Sequence, residues 1–369
     1  MSASGHHELV SWSLTLAATP AVAEIEMPRA CLVESHACGC SGGSLKSRCH
    51  ELVSWSLTFV ATAMLIQPYL RNELHFAYCY RVYLRWRTHR ARPLAPMAKL
   101  DQTVLENIAR EYDVRVLECA SNTTDLLALV SLKPEETISA CTGKLKGQLS
   151  KWLREAQQLT QPTEQLSNGY FACTVGKSTR EAVEQYLSRQ SEHHGYAERA
   201  RPPIFVENYD LSKDDEARVS TKHSVVVGQF HIVLATSRRR GVFGSQEGYA
   251  VATEWRQLVT SLRAALLKVS FLPDHVHMAL RAHPAVSPAD LVVKLMNAAQ
   301  QIIFERFAAA TIQARVERLW QPSAYIGSYG DLASPQISKY IQNWAGALAT
   351  NVKLHETSSW HLEFTDAPE

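Results

Sequence analysis

Two histidines one residue apart, in Asp274-His275-Val276-His277, are the feature of this chain most suited to chemistry. On a β-strand, residues two apart share a face, so the two imidazoles stand together while Val276, Met278 and Leu280 turn to the core. Such a pair supplies half of a metal site. Alone, the same pattern also fits surface histidines on an edge strand. Tyr186 lies four residues before Gln190, which on a helix sets phenol and amide on one face. A tyrosine oxygen can attack a phosphodiester whose phosphate a metal polarises, storing the bond as phosphotyrosine. A second tyrosine, Tyr340, follows in the same setting, but Trp344 stands four residues later where Tyr186 has Gln190.

The elements needed to position these groups occur twice in one order. The first series has a strand over 78–87, a helix from Asp101, and strands over 114–119 and 126–132. A helix bearing Ile138, Cys141, Leu145, Leu149 and Trp152 follows, then a strand over 170–176 ending in Gly176. Ser178-Thr-Arg-Glu181 opens the last helix as a capping box. The second series has a strand over 225–235, a helix over 255–266, and strands within 269–280. Ser287 and Pro288 start the next helix, a strand over 324–330 ends in Gly330, and Ser334-Pro335 opens the last helix. Gly176 precedes Tyr186 by the same interval as Gly330 precedes Tyr340, which argues for an internal duplication. The implied domains are 78–196 and 225–349, with a polar linker over 197–224, an amino-terminal segment over 1–77 without assigned role, and a tail over 350–369.

The 369 residues are 46 % hydrophobic and 20 % charged, with a net charge of +2, which fits a globular protein and excludes a globally basic one. A nucleic-acid contact must therefore be local. Candidates are Arg85, Arg87 and Arg90 in the first half, Arg238, Arg239 and Arg240 at the same place in the second, and Lys144 with Lys146. A solvated strand edge guarded by charge accounts for the same arginines. The eight cysteines contain no CxxC pair and read as reduced thiols of a cytoplasmic protein. No membrane association is expected: the apolar stretch 9–23 lacks a basic flank, and 52–70 is diluted by polar residues and Pro68. Residues 7–19 recur nearly unchanged at 50–62, too few copies for a solenoid. His36, Cys38, Cys40, Cys49 and His50 match no standard zinc spacing and read as incidental.

The ordered set resembles the HUH single-tyrosine transposases of bacterial insertion sequences. The resemblance rests on Pro273-Asp-His-Val-His277, Leu319-Trp-Gln-Pro-Ser323 and Tyr340-Ile-Gln-Asn343. In the first half it rests on Leu145-Lys-Gly147, 170–176 and Tyr186-Leu-Ser-Arg-Gln190. It implies two tandem α+β domains of HUH type, each an antiparallel sheet packed with helices. It further implies cleavage and rejoining of single-stranded or hairpin DNA, with Mg²⁺ or Mn²⁺ on His275, His277 and Gln190. Tyr186 is the implied nucleophile and Tyr340 its duplicate. The family acts as a dimer whose tyrosine helix can enter the partner's metal site, so the resemblance implies a pseudo-dimer within one monomeric chain. Aligning Asn122-Thr-Thr-Asp125 with Asp-His-Val-His leaves the first half without the histidine pair. The competing expectations are a catalytically inactive DNA-hairpin-binding protein and a structural metal-binding protein.

Overall fold

Alternation of apolar and polar residues over Val225–Thr236 builds the longest strand of a ten-stranded sheet. The computed structural model describes residues 66–95, 99–157, 165–176, 182–183 and 205–331. The first half contributes β1 (His75–Cys79), β2 (Arg81–Arg87), β3 (Arg115–Ser121), β4 (Asp125–Ser131) and β5 (Phe171–Val175). Its helices are α1 (Gln102–Arg110), capped by the Asp101 carboxylate on Val104 N, and α2 (Ile138–Ala156), capped by Thr137. The second half contributes β7 (Val225–Thr236), β8 (Ala264–Leu272), β9 (His275–Ala282) and β10 (Trp320–Tyr329). Helices α4 (Ser245–Ser261), α5 (Pro288–Arg306) and α6 (Ala308–Ala314) complete it. Between the halves lie β6 (Phe205–Asn208) and α3 (Lys213–Val219).

Each half repeats one topology. β2 lies between β4 and β5, with β3 outside β4; β7 lies between β9 and β10, with β8 outside β9, all antiparallel. The halves then join by two parallel pairings, β5 with the start of β7 and β1 with β10. The registers are reciprocal. Arg81 opposes Val175 as Gln229 opposes Tyr329, and Ala77 opposes Tyr325 as Val225 opposes Phe171. The helix starts repeat the exchange: Ser139 N donates to Pro284 O at 2.9 Å, and Ala289 N to Pro134 O at 3.0 Å. Reciprocity of this kind is what a two-fold interface requires, here between two halves of one chain. One apolar core runs through both halves under the helical face, and Tyr80 meets Phe230 edge-on at its centre with ring centroids 5.2 Å apart.

The tandem α+β architecture is as expected, with three local differences. Helix α4 begins at Ser245 and ends at Ser261, whereas the expected helix over 255–266 ran into β8. The Glu247 carboxylate accepts from Gly244 N at the start, and Arg263, at φ 55°, breaks the helix before the strand. The stretch expected as linker holds β6, which covers the β8 edge, and α3, started by a Ser212–Asp215 capping box. Finally, residues 66–77 belong to the folded unit. Cys79, Cys119, Cys141 and Cys173 are free of disulfides, and among the described residues no helix is long and apolar enough to cross a membrane.

The segment before β1 is fastened to the second half. Buried Tyr69 donates its hydroxyl proton to Trp320 O at 2.8 Å and accepts from Trp320 N at 2.7 Å. Asn297 brackets the Tyr69 backbone, accepting from its N–H at 2.6 Å and donating to its carbonyl at 3.0 Å. Arg318 stacks over the Tyr69 ring, 4.1 Å from its centroid, and pairs with Glu73. Tyr69→Phe keeps the ring but strands the buried Trp320 N–H. Chemical denaturation is therefore expected to show a loss of about 1–3 kcal/mol. A change within measurement error would mean that the hydroxyl contributes nothing net.

Candidate functional site

Alternation along β9 puts Val276, Met278 and Leu280 in the core, and it puts His275 and His277 on the face away from the helices. Both histidines are buried, at 2 % and 5 % exposure, and their ring centroids are 5.1 Å apart. Each ring has Nδ1 on a polar partner. His275 Nδ1 lies 2.6 Å from Asp274 Oδ1, and His277 Nδ1 lies 3.0 Å from His231 Nε2. With Nδ1 engaged on both rings, Nε2 is the nitrogen that would ligate a metal, and the Nδ1 partners orient the rings.

Two charged groups flank the pair. Arg239 Nε holds Asp274 Oδ2 at 2.8 Å. Burial alone would raise the Asp274 pKa, but the His275 hydrogen bond and the charges of His275 and Arg239 hold it below the usual carboxylate range. His231, partly buried, is kept neutral because burial depresses its pKa to about 4. Two imidazoles on a rigid strand suit a divalent ion with nitrogen affinity, so the donor set fits half of a metal centre. Among the described residues, no three or more His, Cys, Asp or Glu side chains form a metal cage.

The basic residues divide into two kinds. Arg238, Arg239 and Arg240 form the turn after β7, at the sheet end where Ala235 opposes His275, and Arg238 and Arg240 are exposed. Arg90 sits in the matching turn after β2, and both turns carry consecutive residues at positive φ, Arg90-Ala91 and Arg238-Arg239. By contrast, Lys144 pairs with Glu136 at 2.9 Å, and Lys146 donates to Asn168 O at 2.8 Å. Arg85 and Arg87 ion-pair with Asp125, their Nε atoms at 3.0 and 3.4 Å from Oδ1. Tyr186, Gln190, Tyr340 and Trp344 lie outside the described residues.

Strand register corrects the alignment of the first half. Arg87 opposes Asp125 and Arg85 opposes Leu127, just as Ala235 opposes His275 and Val233 opposes His277. Asp125 therefore stands in the place of His275 and Leu127 in that of His277; Thr123 has neither role. The reason is that β4 begins at Asp125, two residues later than the sequence alignment required. Leu127 joins Tyr83, Ala120, Leu129 and Val175 in an apolar cluster covering this face. The carboxylate is neutralised by Arg85 and Arg87. Burial alone would raise the Asp125 pKa, but the hydrogen bonds and charges of Arg85, Thr124 and Arg87 outweigh it and hold the carboxyl below the usual carboxylate range. This ion pair supplies stability above the unfolded carboxylate pKa that is lost as pH falls through the folded value. Asp125→Asn is expected to cost about 1–3 kcal/mol near neutral pH. The difference from wild type should shrink as pH falls below the ordinary carboxylate range. Denaturation curves at several pH values test both; a pH-independent difference would deny the ion pair its role.

A contact between the halves lies beside the histidines. Val183, from the first half, packs with Leu211 on a cluster of Leu267, Ala279 and Tyr329. Ala279 is two residues beyond His277 on β9 and opposes His231 on β7. The segment three residues before Tyr186 thus rests on the second half's histidine face.

The chain belongs to a transposase family: its residues 76–190 and 224–344 match the family model described as "Transposase IS200 like". Over 115 residues it is 24 % identical to the ISDra2 transposase TnpA of Deinococcus radiodurans, covering 31 % of this chain and 82 % of that protein. A crystal structure of a proposed transposase from Deinococcus radiodurans R1 is 25 % identical, covers 34 % of this chain and 96 % of that one, and has a TM-score of 0.29. DNA is accordingly the partner of this chain.

Sequence reading missed His231, Asp274 as an orienting group, and Arg239 as its counter-ion. The signal for His231 was present: Gln229, His231 and Val233 alternate with Phe230, Ile232 and Leu234, so His231 faces the same side as the histidine pair.

Proposed function

We propose that this transposase cleaves and rejoins single-stranded or hairpin DNA through phosphotyrosine at one site composed of both halves. His275 and His277 would hold Mg²⁺ or Mn²⁺ together with Gln190, and Tyr186 would be the nucleophile. A bound divalent ion would polarise the scissile phosphate. The Tyr186 phenol gives up its proton as its oxygen forms a bond to phosphorus, while a phosphorus–oxygen bond of the strand breaks. The departing oxygen takes a proton, and a DNA hydroxyl reverses the step to rejoin. Arg238 and Arg240, exposed on the turn at the His275 end of the sheet, are placed to meet backbone phosphates. The observation that carries the reading is the packing of Val183 on the cluster of Leu267, Ala279 and Tyr329.

The test is incubation of the full chain with labelled hairpin DNA and Mn²⁺, followed by denaturing electrophoresis. A denaturant-resistant DNA adduct that is absent in EDTA is expected. Hairpin binding without any adduct or strand cleavage, with Mn²⁺ present, would replace this reading by that of an inactive hairpin-binding protein.

A further inference from the structure

We propose that His231 is a positioning residue for the metal ligand His277, accepting its Nδ1–H and so fixing Nε2 as the ligating nitrogen. The inference rests on the reading that His275 and His277 hold a metal ion. A histidine ligand presents one ring nitrogen and carries its proton on the other, so the acceptor on the second nitrogen selects tautomer and ring angle. His275 has such an acceptor in the Asp274 carboxylate, 2.6 Å from Nδ1. For His277 the group at this place is a second imidazole, with His231 Nε2 at 3.0 Å from Nδ1. The assignment requires His231 to be neutral with its own proton on Nδ1, leaving the Nε2 lone pair as acceptor.

The sheet holds this pair in a defined pose. His231 opposes Ala279 and His277 opposes Val233, so the two rings are diagonal neighbours on adjacent strands. Their planes are 19° apart with centroids at 5.2 Å, and Tyr325 on β10 meets His231 edge-on at 6.0 Å. The first half supplies an internal comparison. There, Tyr83 takes the place of His231 and Leu127 that of His277, and the two share an apolar cluster. The half that lacks the ligand also lacks its partner.

The test is Mn²⁺ affinity of the metal-free full chain, by calorimetry or electron paramagnetic resonance, without DNA. His231→Phe keeps a ring but removes the acceptor, and His231→Gln places an amide oxygen near the former Nε2. The Phe variant is expected to weaken Mn²⁺ binding about 10–100-fold, and the Gln variant to recover most of it. Unchanged affinity in the Phe variant, or equal losses in both, would overturn the assignment. Because His231→Phe could fail to fold, the wild-type chain gives a second measurement. Long-range ¹H–¹⁵N correlation in metal-free protein should show His277 protonated at Nδ1; a proton at Nε2 overturns the inference. Wild-type protein that takes up no Mn²⁺ would overturn the metal reading and this inference together, whereas normal uptake with an unaffected Phe variant removes this inference alone.

Discussion

His277→Ala is expected to abolish adduct formation and to weaken Mn²⁺ binding at least about 10-fold, while leaving the protein folded. The first effect follows from the donor set. His275 and His277 are the two imidazoles proposed to ligate the ion, with His231 on the same face engaged to His277, and losing one leaves a single ligating imidazole where a hard phosphate-polarising ion needs several ligands. The second half of the expectation, a retained fold, follows from where the side chain points. Val276, Met278 and Leu280, which anchor β9 in the core, are untouched, and β9 keeps its ladders to β7 and β8. Deleting the ring removes its contact with His231, a loss of about 1 kcal/mol for one hydrogen bond. Cleavage assays on hairpin DNA, Mn²⁺ titration and thermal unfolding should be run on the same preparation. Cleavage at the wild-type rate would take His277 out of the metal site, and unfolding at ambient temperature would make the loss of activity uninformative about metal, in which case His277→Gln serves instead.

The duplication gives the two faces different chemistry on one backbone. At corresponding places, the second half has His231, His275 and His277 and the first has Tyr83, Asp125 and Leu127. The paired arginines on Asp125 bring positive charge to the first half, and Tyr83 and Leu127 share an apolar cluster on the same face. Both faces still retain the turn after the central strand, with two consecutive residues at positive φ in each. Backbone geometry is therefore shared where the histidines are not. Side chains on the outward face of a strand can change without disturbing the ladder, while a turn that ends a strand is fixed by its hydrogen bonds. Thr88 N donates to Thr124 O and Thr236 N to Asp274 O in the same way.

Much of this was legible in the sequence because it is periodic. His-x-His within an apolar alternation places two rings on one strand face whatever the fold, and the doubled strand and helix order with matched Gly–Tyr intervals indicates two equivalent halves. Cross-strand relations are not periodic in sequence, and there the reading failed. The equivalence of Asp125 with His275 depends on which residue opposes Arg87 across β2 and β4, and an alignment off by two residues keeps the same face and leaves no warning in the pattern. His231 is 46 positions from the ring it touches. The fastening of Tyr69 to Trp320 spans 251 positions and joins a segment that composition had set apart from the folded chain. Helix α4 begins in Ser-Gln-Glu-Gly-Tyr, whose polarity and glycine hide the first turns from any search for an apolar stripe.

Tyr186→Phe is expected to eliminate the covalent adduct, and Tyr340→Phe to leave most of it. Removing one phenolic oxygen takes away the only atom that can bond to phosphorus in the proposed step, so the effect on that step is complete rather than partial. The choice between the two tyrosines rests on the asymmetry of the faces. The second half's face carries the imidazole pair, and first-half residue Val183 packs on the cluster of Leu267, Ala279 and Tyr329, in which Ala279 opposes His231. The first half's face offers a carboxylate already held by Arg85 and Arg87, with Leu127 in the place of a ligand. A nucleophile acting at the first face would have no imidazole pair to hold a metal on the phosphate, so Tyr340 has little to gain from its place in the chain. Proteolysis of the adduct followed by mass spectrometry should put the DNA-linked residue on Tyr186. A Val183→Asp variant supplies an independent check, because a charge on that packing surface should lower adduct yield and, by displacing the segment that carries Gln190, also weaken Mn²⁺ binding, while the unfolding temperature stays near that of wild type. An adduct on Tyr340, or wild-type yield from Tyr186→Phe, would sink the composite site and leave the second half acting with its own tyrosine.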